Sequence, residues 1–355
     1  MLTPESHGPT GPGQTKKPKT TQERMGTRLR TRYGALGVAL AAVSLLTGCG
    51  LAPAASYVPE AGPGTIKPIA GAAGAEVTVT GRNNTEGLIL GKMAVLAAKA
   101  AGFTVSDLTN VPGSQPTRSL MLAGKADIIW EYTGTAWLSF MGHPSGIPEQ
   151  DAQWQAVHDE DLGNGLSWGA KAPLNNTYAL AVTDETAAKY GLSTLSDIAK
   201  LPVDQRTFCV EPEFNSRPDG FGPMLKHYGL DRGSDSGVPE RNIGLYDVGA
   251  VYSATDNGVC TLGEVFATDG RIDALGLTVL TDDKKFFPAY NVAPVFYSKT
   301  LAAHPELEGI FEQMSPLLTD TTMRGLNLKV DVDGQEPADV AFDWMKAQGF
   351  LTGAP

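Results

Sequence analysis

The chain has 355 residues, of which 42% are hydrophobic and 19% are charged, and its formal net charge is −11. This composition is typical of a globular protein with one or two hydrophobic cores. Residues 1–49 hold seven Lys and Arg but only two Asp and Glu, so the remainder carries 21 basic and 37 acidic residues, a net charge of −16. So acidic a chain is a poor candidate for binding nucleic acid, which relies on basic patches.

The first 49 residues have the features of a secretory signal. Arginines at positions 28, 30 and 32 precede the apolar run "YGALGVALAAVSLL", which is shorter than the roughly 20 residues that cross a bilayer. The run ends in a Leu-Thr-Gly-Cys sequence that resembles a bacterial lipobox, in which Cys49 becomes the lipidated first residue. The alternative is a plain signal peptide with a chance cysteine, and Met25 is an alternative start. We therefore expect an extracytoplasmic protein that Cys49 anchors to the outer face of the cell membrane.

Residues 50–75 are rich in Ala, Gly and Pro and predict a flexible tether. From Glu76 the hydrophobic periodicity predicts alternating strands and helices, with Thr85 as the N-cap of the first helix. In chain order these are strand "EVTVTG", helix "LILGKMAVLAAKAAG", strand "FTVSDLT", helix "SQPTRSLMLAGKA" and strand "DIIWEY". Such an alternation implies a parallel sheet with helices on its faces. Ligands bind beyond the carboxyl ends of such strands, where "GRNNTE" and "EYTGT" fall.

The alternation continues after residue 177. The predicted strands are "YALAVT", "RTFCVEP", "IGLYDVG", "CTLGEVFATDG" and "LTVLTDD". The predicted helices are "TLSDIAKL", which has a capping sequence, "GFGPMLKHYG", "AVYSATDNG" and most of residues 300–350. A structured region of roughly 280 residues favours two lobes over one.

Two cysteines, Cys209 and Cys260, remain after the signal. In an oxidising compartment such a pair predicts a disulfide, and two buried thiols are the alternative. Neither cysteine has another cysteine or a histidine within four residues, and the five histidines are scattered, so we expect no metal site.

Motifs of known enzymes are missing from the sequence. It contains no G-x-S-x-G nucleophile elbow, no P-loop and no H-E-x-x-H metal motif. A secreted hydrolase that uses Glu131 and Glu213 as an acid/base pair is one hypothesis, and a surface adhesin or sensor domain without a transport partner is another. We expect neither an enzyme nor a cofactor.

Aromatic residues stand at the ends of several predicted strands. They are Tyr132, Tyr178, Phe266 and Tyr290. If strands of two lobes bring these rings to one cleft, they form a cage for an organic cation, which each ring face attracts by about 0.5–2 kcal/mol.

Six segments resemble, in order, the glycine betaine/carnitine/choline substrate-binding proteins of ABC importers. They are "GRNNTEGLILGKM", "EYTGTAW", "NNTYALAV", "EPEFNSRPDG", "EVFATDGRI" and "DDKKFFPAYNVAPV". The resemblance, from about residue 76 to the C-terminus, implies a two-lobed periplasmic-binding-protein fold of type II, α/β, with the ligand in the cleft between the lobes. We expect one lobe from residues 76–178 and 292–355 and the other from residues 179–291. It also implies a monomer that delivers its ligand to the transporter's permease.

The resemblance places the family's cage tyrosines on Tyr132, Tyr178 and Tyr290, with Phe266 in place of a fourth. Phenylalanine keeps the ring face but loses a hydroxyl. Within "EYTGT", Gly134 lets the backbone come close to the ligand.

In relatives that bind betaines, the ligand carboxylate is held by residues that match Arg82, Thr135 and Arg217. Arg82 stands where the family usually has lysine, and its flat guanidinium suits a carboxylate. Glu213 is expected to orient Arg217 or to bridge the lobes, and Asn176 to support Tyr178. The expected ligand is a quaternary ammonium compound such as glycine betaine. Choline, carnitine and ergothioneine are alternatives, and choline, which lacks a carboxylate, would not depend on the arginines.

Overall fold

A computed structural model describes residues 57–147 and 149–353, all of which belong to one compact unit, Ala52–Pro355. The predicted signal, the lipidation site Cys49 and the first part of the predicted tether lie outside the described residues. No helix among the described residues has both the length and the apolar character needed to cross a bilayer.

The described strands form two five-stranded sheets and one two-stranded sheet. Their bounds are β1 Ala61–Pro63, β2 Glu76–Arg82, β3 Thr104–Val111, β4 Ile128–Tyr132, β5 Leu166–Trp168, β6 Tyr178–Thr183, β7 Phe208–Val210, β8 Ile243–Leu245, β9 Leu262–Phe266, β10 Leu277–Leu280, β11 Val292–Tyr297 and β12 Leu351–Gly353.

Helices flank these sheets. They are α1 Thr85–Ala100, α2 Ser114–Leu122, α3 Thr133–Thr135, α4 Gln150–Leu162, α5 Asp184–Tyr190, α6 Pro212–Ser216, α7 Phe221–His227, α8 Val248–Asp256, α9 Arg271–Ala274, α10 Ser298–Ala303, α11 Glu306–Met314, α12 Asp320–Asp331 and α13 Pro337–Ala347. Short 3-10 segments occupy Leu195–Lys200, Val203–Gln205, Glu240–Asn242 and Ser315–Leu317, and a π-helical turn, Ala136–Phe140, continues α3.

The first sheet has the strand order β3-β2-β4-β11-β5. As the sequence predicts, β2 is parallel to both β3 and β4. The prediction of a wholly parallel sheet is wrong, because β11 is antiparallel to β4 and β5. Strand β11 lies far along the chain and runs back after the second sheet is complete, a direction that local periodicity does not reveal.

The second sheet has the order β10-β6-β9-β7-β8 and is also mixed. Strand β6 is antiparallel to β9 and β10, whereas β7 is parallel to β8 and β9. A disulfide joins Cys209 of β7 to Cys260, and Val251 and Ala254 of α8 pack beside it. The disulfide therefore ties the sheet to the segment that follows α8.

The interpretation of residues 57–75 as a tether is wrong. Strand β1 pairs antiparallel with β12, and Ile66 and Ala72 are buried in the main core. A Cβ atom on Gly62 would lie 2.4 Å from Thr352 Oγ1, and one on Gly64 would lie 2.3 Å from a backbone oxygen. Here the glycines permit close backbone approach, although their composition resembles that of a linker.

Helix ends differ in part from the prediction. Asn84, not Thr85, occupies the N-cap position of α1, and the Thr85 hydroxyl instead donates to Asp331 at 2.5 Å. The capping sequence at Thr194 is as predicted: Thr194 and Asp197 form a reciprocal capping box, although the segment they start is a 3-10 helix.

Candidate functional site

A cleft of about 610 Å³ lies between the two large sheets, at the carboxyl ends of β2, β3, β7, β8 and β9 and at the amino end of the antiparallel strand β6. From the first sheet it is lined by residues 82–84, at the end of β2, and 112–114, after β3. From the second sheet it is lined by Tyr178, Phe266 and the loops 211–213 and 247–249. This is the edge at which open α/β sheets bind ligands.

Tyr178 is the centre of an aromatic cluster that also contains Phe214, Phe266, Phe287 and Tyr290. Its ring centroid lies 5.3 Å from that of Phe266 and 5.9 Å from that of Tyr290, whose ring is perpendicular to it. Phe214 stacks on it at 4.8 Å. Tyr178 and Phe266 are direct cross-strand partners on β6 and β9, which explains their contact. The structure thus brings together three of the four predicted cage rings.

The fourth predicted ring, that of Tyr132, stands apart from this cluster at the end of β4. Its face is turned to Arg82, whose guanidinium carbon is 5.0 Å from the ring centroid. Its hydroxyl donates to Glu86 at 2.5 Å, and the side chain is 5% exposed. Tyr132 therefore belongs to the part of the site built by the first sheet.

The ring of Tyr178 also faces a positive charge. The guanidinium carbon of Arg217 lies 5.3 Å from its centroid, within the range of cation–π attraction. Tyr132 and Tyr178 thus each present a ring face to an arginine, Tyr132 on the side of the first sheet and Tyr178 on the side of the second.

Arg217 is buried and held by several acceptors. Its Nε and Nη2 donate to Asp219 at 2.8 and 2.6 Å, and Nη1 donates to Glu213 at 3.2 Å. The contact of Nη2 with Thr135 Oγ1, at 3.4 Å, is long. Asp219 also accepts the hydroxyl of Tyr290, so Arg217 and Tyr290 are fixed by one carboxylate.

Glu213 contacts both sides of the site. Besides Arg217, it accepts hydrogen bonds from the backbone N–H of Ser114, at 3.1 Å, and from the Ser114 hydroxyl. Burial raises the pKa of Glu213, but Arg82, Ser114 and Arg217 outweigh it and hold the pKa below its ordinary value. Glu213 is therefore ionised at neutral pH and joins α2 to α6.

One N–H group of the Arg82 guanidinium is without a hydrogen-bond acceptor among the described residues. Its Nη2 is paired with the Glu131 carboxylate, whereas its buried Nε has no hydrogen-bond partner among the described residues. A buried N–H without a partner is costly, so an acceptor on a ligand would be favoured here.

The sequence predicts that Asn176 supports Tyr178, whereas in the structure its amide nitrogen donates to Glu86 at 3.0 Å. The sequence also missed two residues of the site. Glu86, in the first turn of α1, has the position of an ordinary helix-dipole partner, and Asp219 stands in an "RPDG" turn. The sequence did contain one indication of Glu86: it is a charged residue in the first turn of an otherwise apolar helix that directly follows a strand.

Glu131 and Glu213, the acid/base pair of the hydrolase hypothesis, are each bonded to other residues of the protein. Glu131 is paired with Arg82 and accepts the N–H of Tyr132 at 2.7 Å, and Glu213 is bonded to Ser114 and Arg217. Within the ranges 57–147 and 149–353, no group of three or more His, Cys, Asp and Glu is arranged to hold a metal ion.

Comparison with known proteins gives a consistent result. Residues 75–347 match a family model described as the substrate binding domain of ABC-type glycine betaine transport system. The glycine-betaine-binding protein of Pseudomonas aeruginosa is 36% identical over 291 residues, which cover 79% of this chain and 91% of that protein.

Two further proteins are similar. The ergothioneine transport permease/ergothioneine binding protein of Helicobacter pylori is 29% identical over 77% of this chain, which spans only 48% of that longer protein. A crystal structure of a glycine betaine/carnitine/choline ABC transporter is 28% identical and superposes with a TM-score of 0.62, covering 77% of this chain and 99% of the other.

Proposed function

Since the chain belongs to the family of substrate-binding domains of ABC-type glycine betaine transport systems, we propose that it captures a quaternary ammonium compound between its two sheets. Members of this family are substrate-binding components of transporters, so the chain is a binding protein and not an enzyme, and the hydrolase hypothesis is discarded. In our proposal the captured compound resembles glycine betaine and is handed to the permease of an ABC importer.

One observation carries this proposal: the faces of Tyr178 and Tyr132 are already turned to guanidinium groups at 5.3 and 5.0 Å. Phe266 and Tyr290 border Tyr178. We place the ligand's trimethylammonium group against the parts of these rings that the guanidinium groups leave free, where each ring contributes about 0.5–2 kcal/mol, more once closure excludes water.

The ligand carboxylate is assigned to Arg82, Thr135 and Arg217. The unpartnered Nε of Arg82 supports this assignment, since a carboxylate oxygen would satisfy it. Arg217 already has its acceptors in Asp219 and Glu213, so we give Arg82 the larger share. Because these residues would bind a carboxylate, we propose that the protein binds a carboxylate-bearing betaine more tightly than choline.

Choline, carnitine and ergothioneine remain the competing ligands. The names of two similar proteins include ergothioneine, carnitine and choline. Phe266 lines the cleft without a hydroxyl, and this change relative to the family tyrosine is a reason for a shifted preference.

The lobes that would close on the ligand are residues 76–178 with 292–355, and residues 179–291. Supporting this division, the first large sheet draws its strands from residues 76–168 and 292–297, and the second from residues 178–280, so that only Tyr178 falls on the other side of the proposed boundary. We further propose a monomer on the outer face of the cell membrane, held there by lipidated Cys49. An adhesin or sensor without a transport partner is the alternative, and a permease and an ATPase encoded beside the gene would speak against it.

Calorimetric titration of residues 50–355 tests the proposal, with glycine betaine, choline, carnitine and ergothioneine compared side by side. Tyr132→Ala should abolish the heat of binding, whereas Tyr57→Ala, a change at a 53% exposed tyrosine, should leave it intact. Preference for choline would keep the aromatic site and remove the carboxylate assignment. Heat from none of the four compounds would refute the proposed ligand class.

A further inference from the structure

The Glu86 carboxylate is buried without a cation. The side chain is in the first turn of α1, the residue is 2% exposed, and within the described part of the chain no Lys, Arg or His forms a salt bridge with it. Buried carboxylates are normally paired, so the environment of Glu86 needs another source of stability.

That source is a set of four hydrogen bonds. Glu86 Oε1 accepts the Tyr132 hydroxyl at 2.5 Å and the Asn176 amide at 3.0 Å. Glu86 Oε2 accepts the Thr268 hydroxyl at 2.6 Å and the Asn327 amide at 3.2 Å. Burial raises the pKa of Glu86 above its ordinary value, and the four hydrogen bonds, which favour the ionised form, offset only part of this rise.

The four donors come from separate parts of the fold. Tyr132 ends β4 of the first sheet, and Thr268 follows β9 of the second sheet by two residues. Asn176 precedes β6, and Asn327 lies on α12. One carboxylate thus joins a predicted cage ring of the first sheet to the segment that follows Phe266 on the second.

We propose that Glu86 is a positioning residue that holds the Tyr132 ring through their hydrogen bond and ties this ring to the second sheet through the Thr268 hydroxyl. The carboxylate has its full set of donors only while the Thr268 segment touches α1. Loss of the Thr268 hydroxyl while the site stays packed would leave a buried acceptor short of one hydrogen bond, which is costly. Ligand capture and the orientation of Tyr132 are in this way coupled. The inference rests on the proposed function.

The test compares variants of residues 50–355 by titration with glycine betaine and by stopped-flow tryptophan fluorescence. Thr268→Val keeps the side-chain shape but loses the hydroxyl, and we expect about tenfold weaker binding through faster dissociation, with association unchanged. Thr268→Ser restores the hydroxyl and should bind as the wild type does. Glu86→Gln, which brings its own N–H donors to a site made of donors, should weaken binding by at least about tenfold.

Asp161→Asn is the matched control. Asp161 is also a buried carboxylate, paired with Arg118 and bonded to Trp168 of the edge strand β5, and none of the three lines the cleft. Its substitution should lower the melting temperature and leave the affinity unchanged. A general loss of stability is thereby separated from a loss of positioning.

A double-mutant cycle identifies the ring through which Glu86 acts. Tyr132→Phe keeps the ring and removes the hydroxyl, so Glu86→Gln should cost clearly less affinity in this background than in the wild type. Equal costs, or wild-type binding by both Glu86→Gln and Thr268→Val, would overturn the inference while leaving the proposed function intact. Failure of the wild type to bind any of the four compounds would overturn both.

Discussion

The backbone of Gly134 lies directly against the ring of Tyr290, and a Cβ atom on Gly134 would be 2.5 Å from its Cδ1. At the other end of the ring, the hydroxyl donates to Asp219, which also holds Arg217. Tyr290 is thus fixed from both ends and is only 2% exposed. The turn "EYTGT" therefore serves to pack a backbone against an aromatic ring, which needs a residue without a side chain.

We expect Gly134→Ala to displace the Tyr290 ring. Overpacking of this kind costs about 1–3 kcal/mol, and the displaced ring should weaken ligand binding as well. Calorimetric melting and titration measure the two effects. Gly222→Ala is the control, because a Cβ at this position in α7 meets nothing within 4 Å and should be neutral or slightly stabilising. Wild-type binding by Gly134→Ala would contradict the assignment of Tyr290 to the site.

Arg82→Met should separate carboxylate-bearing ligands from choline. Losing a charge-assisted hydrogen bond costs about 1.5–3 kcal/mol, so glycine betaine should bind more than tenfold more weakly. Choline should bind unchanged if it binds at all. The substitution strands the buried Glu131 carboxylate, and the comparison should therefore use Arg82→Met together with Glu131→Gln. Equal losses for both ligands would place the carboxylate elsewhere.

Removal of the disulfide should lower stability. Cys209 and Cys260 are 51 residues apart, and closing a loop of this length is worth about 4 kcal/mol in the chain-entropy description. Cys209→Ala with Cys260→Ala should show this as a lower melting temperature, as should reduction of the wild type. Ligand affinity should hardly change in either case. An unchanged melting temperature would mean that the disulfide contributes nothing to stability.

Asp331 should make stability depend on pH. Burial and the neighbouring Asp269 raise its pKa to about 6 from an ordinary value of 3.8, although Arg271 Nε lies 3.8 Å away and Thr85 donates to it. Between these values the unfolded chain gives up the proton first, so stability falls as the pH rises from about 4 to about 6.

Asp331→Asn removes this effect. It should melt at a higher temperature than the wild type at pH 8, and the difference should disappear below about pH 3, where both the folded and the unfolded wild type are protonated at Asp331. Asn keeps an acceptor for the Thr85 hydroxyl. A difference that stays constant across the pH range would show that Asp331 does not titrate as described.

Beginning the chain at residue 76 in place of residue 57 should destabilise it. The shorter chain loses β1 and the burial of Ile66, and a large apolar core residue contributes about 2–5 kcal/mol. Ile66→Ala in the longer chain is the matched comparison and should reproduce a large part of the loss. Equal melting temperatures for the two chain lengths would restore the interpretation of this segment as a tether.

Much of the fold follows from the sequence. The family resemblance and the two-lobed α/β fold are confirmed. Alternation in "EVTVTG" and the apolar run of α1 predict their elements because each pattern repeats within a few residues. The direction of β11 and the pairing of β1 with β12 depend on partners far away in sequence, and no local pattern contains that information.

The site follows from the sequence to a smaller extent. Both Tyr178 and Phe266 stand at the ends of strands, as the sequence predicts, but their contact is a consequence of strand register. Glu86 draws donors from residues as distant as Asn327, 241 positions away, so its role appears only when the chain is folded. The prediction that Asn176 supports Tyr178 fails for the same reason. A separation of two residues in sequence does not determine which side chain the Asn176 amide contacts in the fold.

The pairing of Ala61 with Gly353 brings the two ends of the described chain side by side. A domain whose entry and exit points are neighbours can be spliced into a surface loop of another protein without pulling either fold apart. Inserted in this way, with short linkers at both junctions, the binding protein would form a separate domain on the surface of the host protein. The host would then carry a ligand-responsive element whose two attachment points stay together because β1 and β12 hold them.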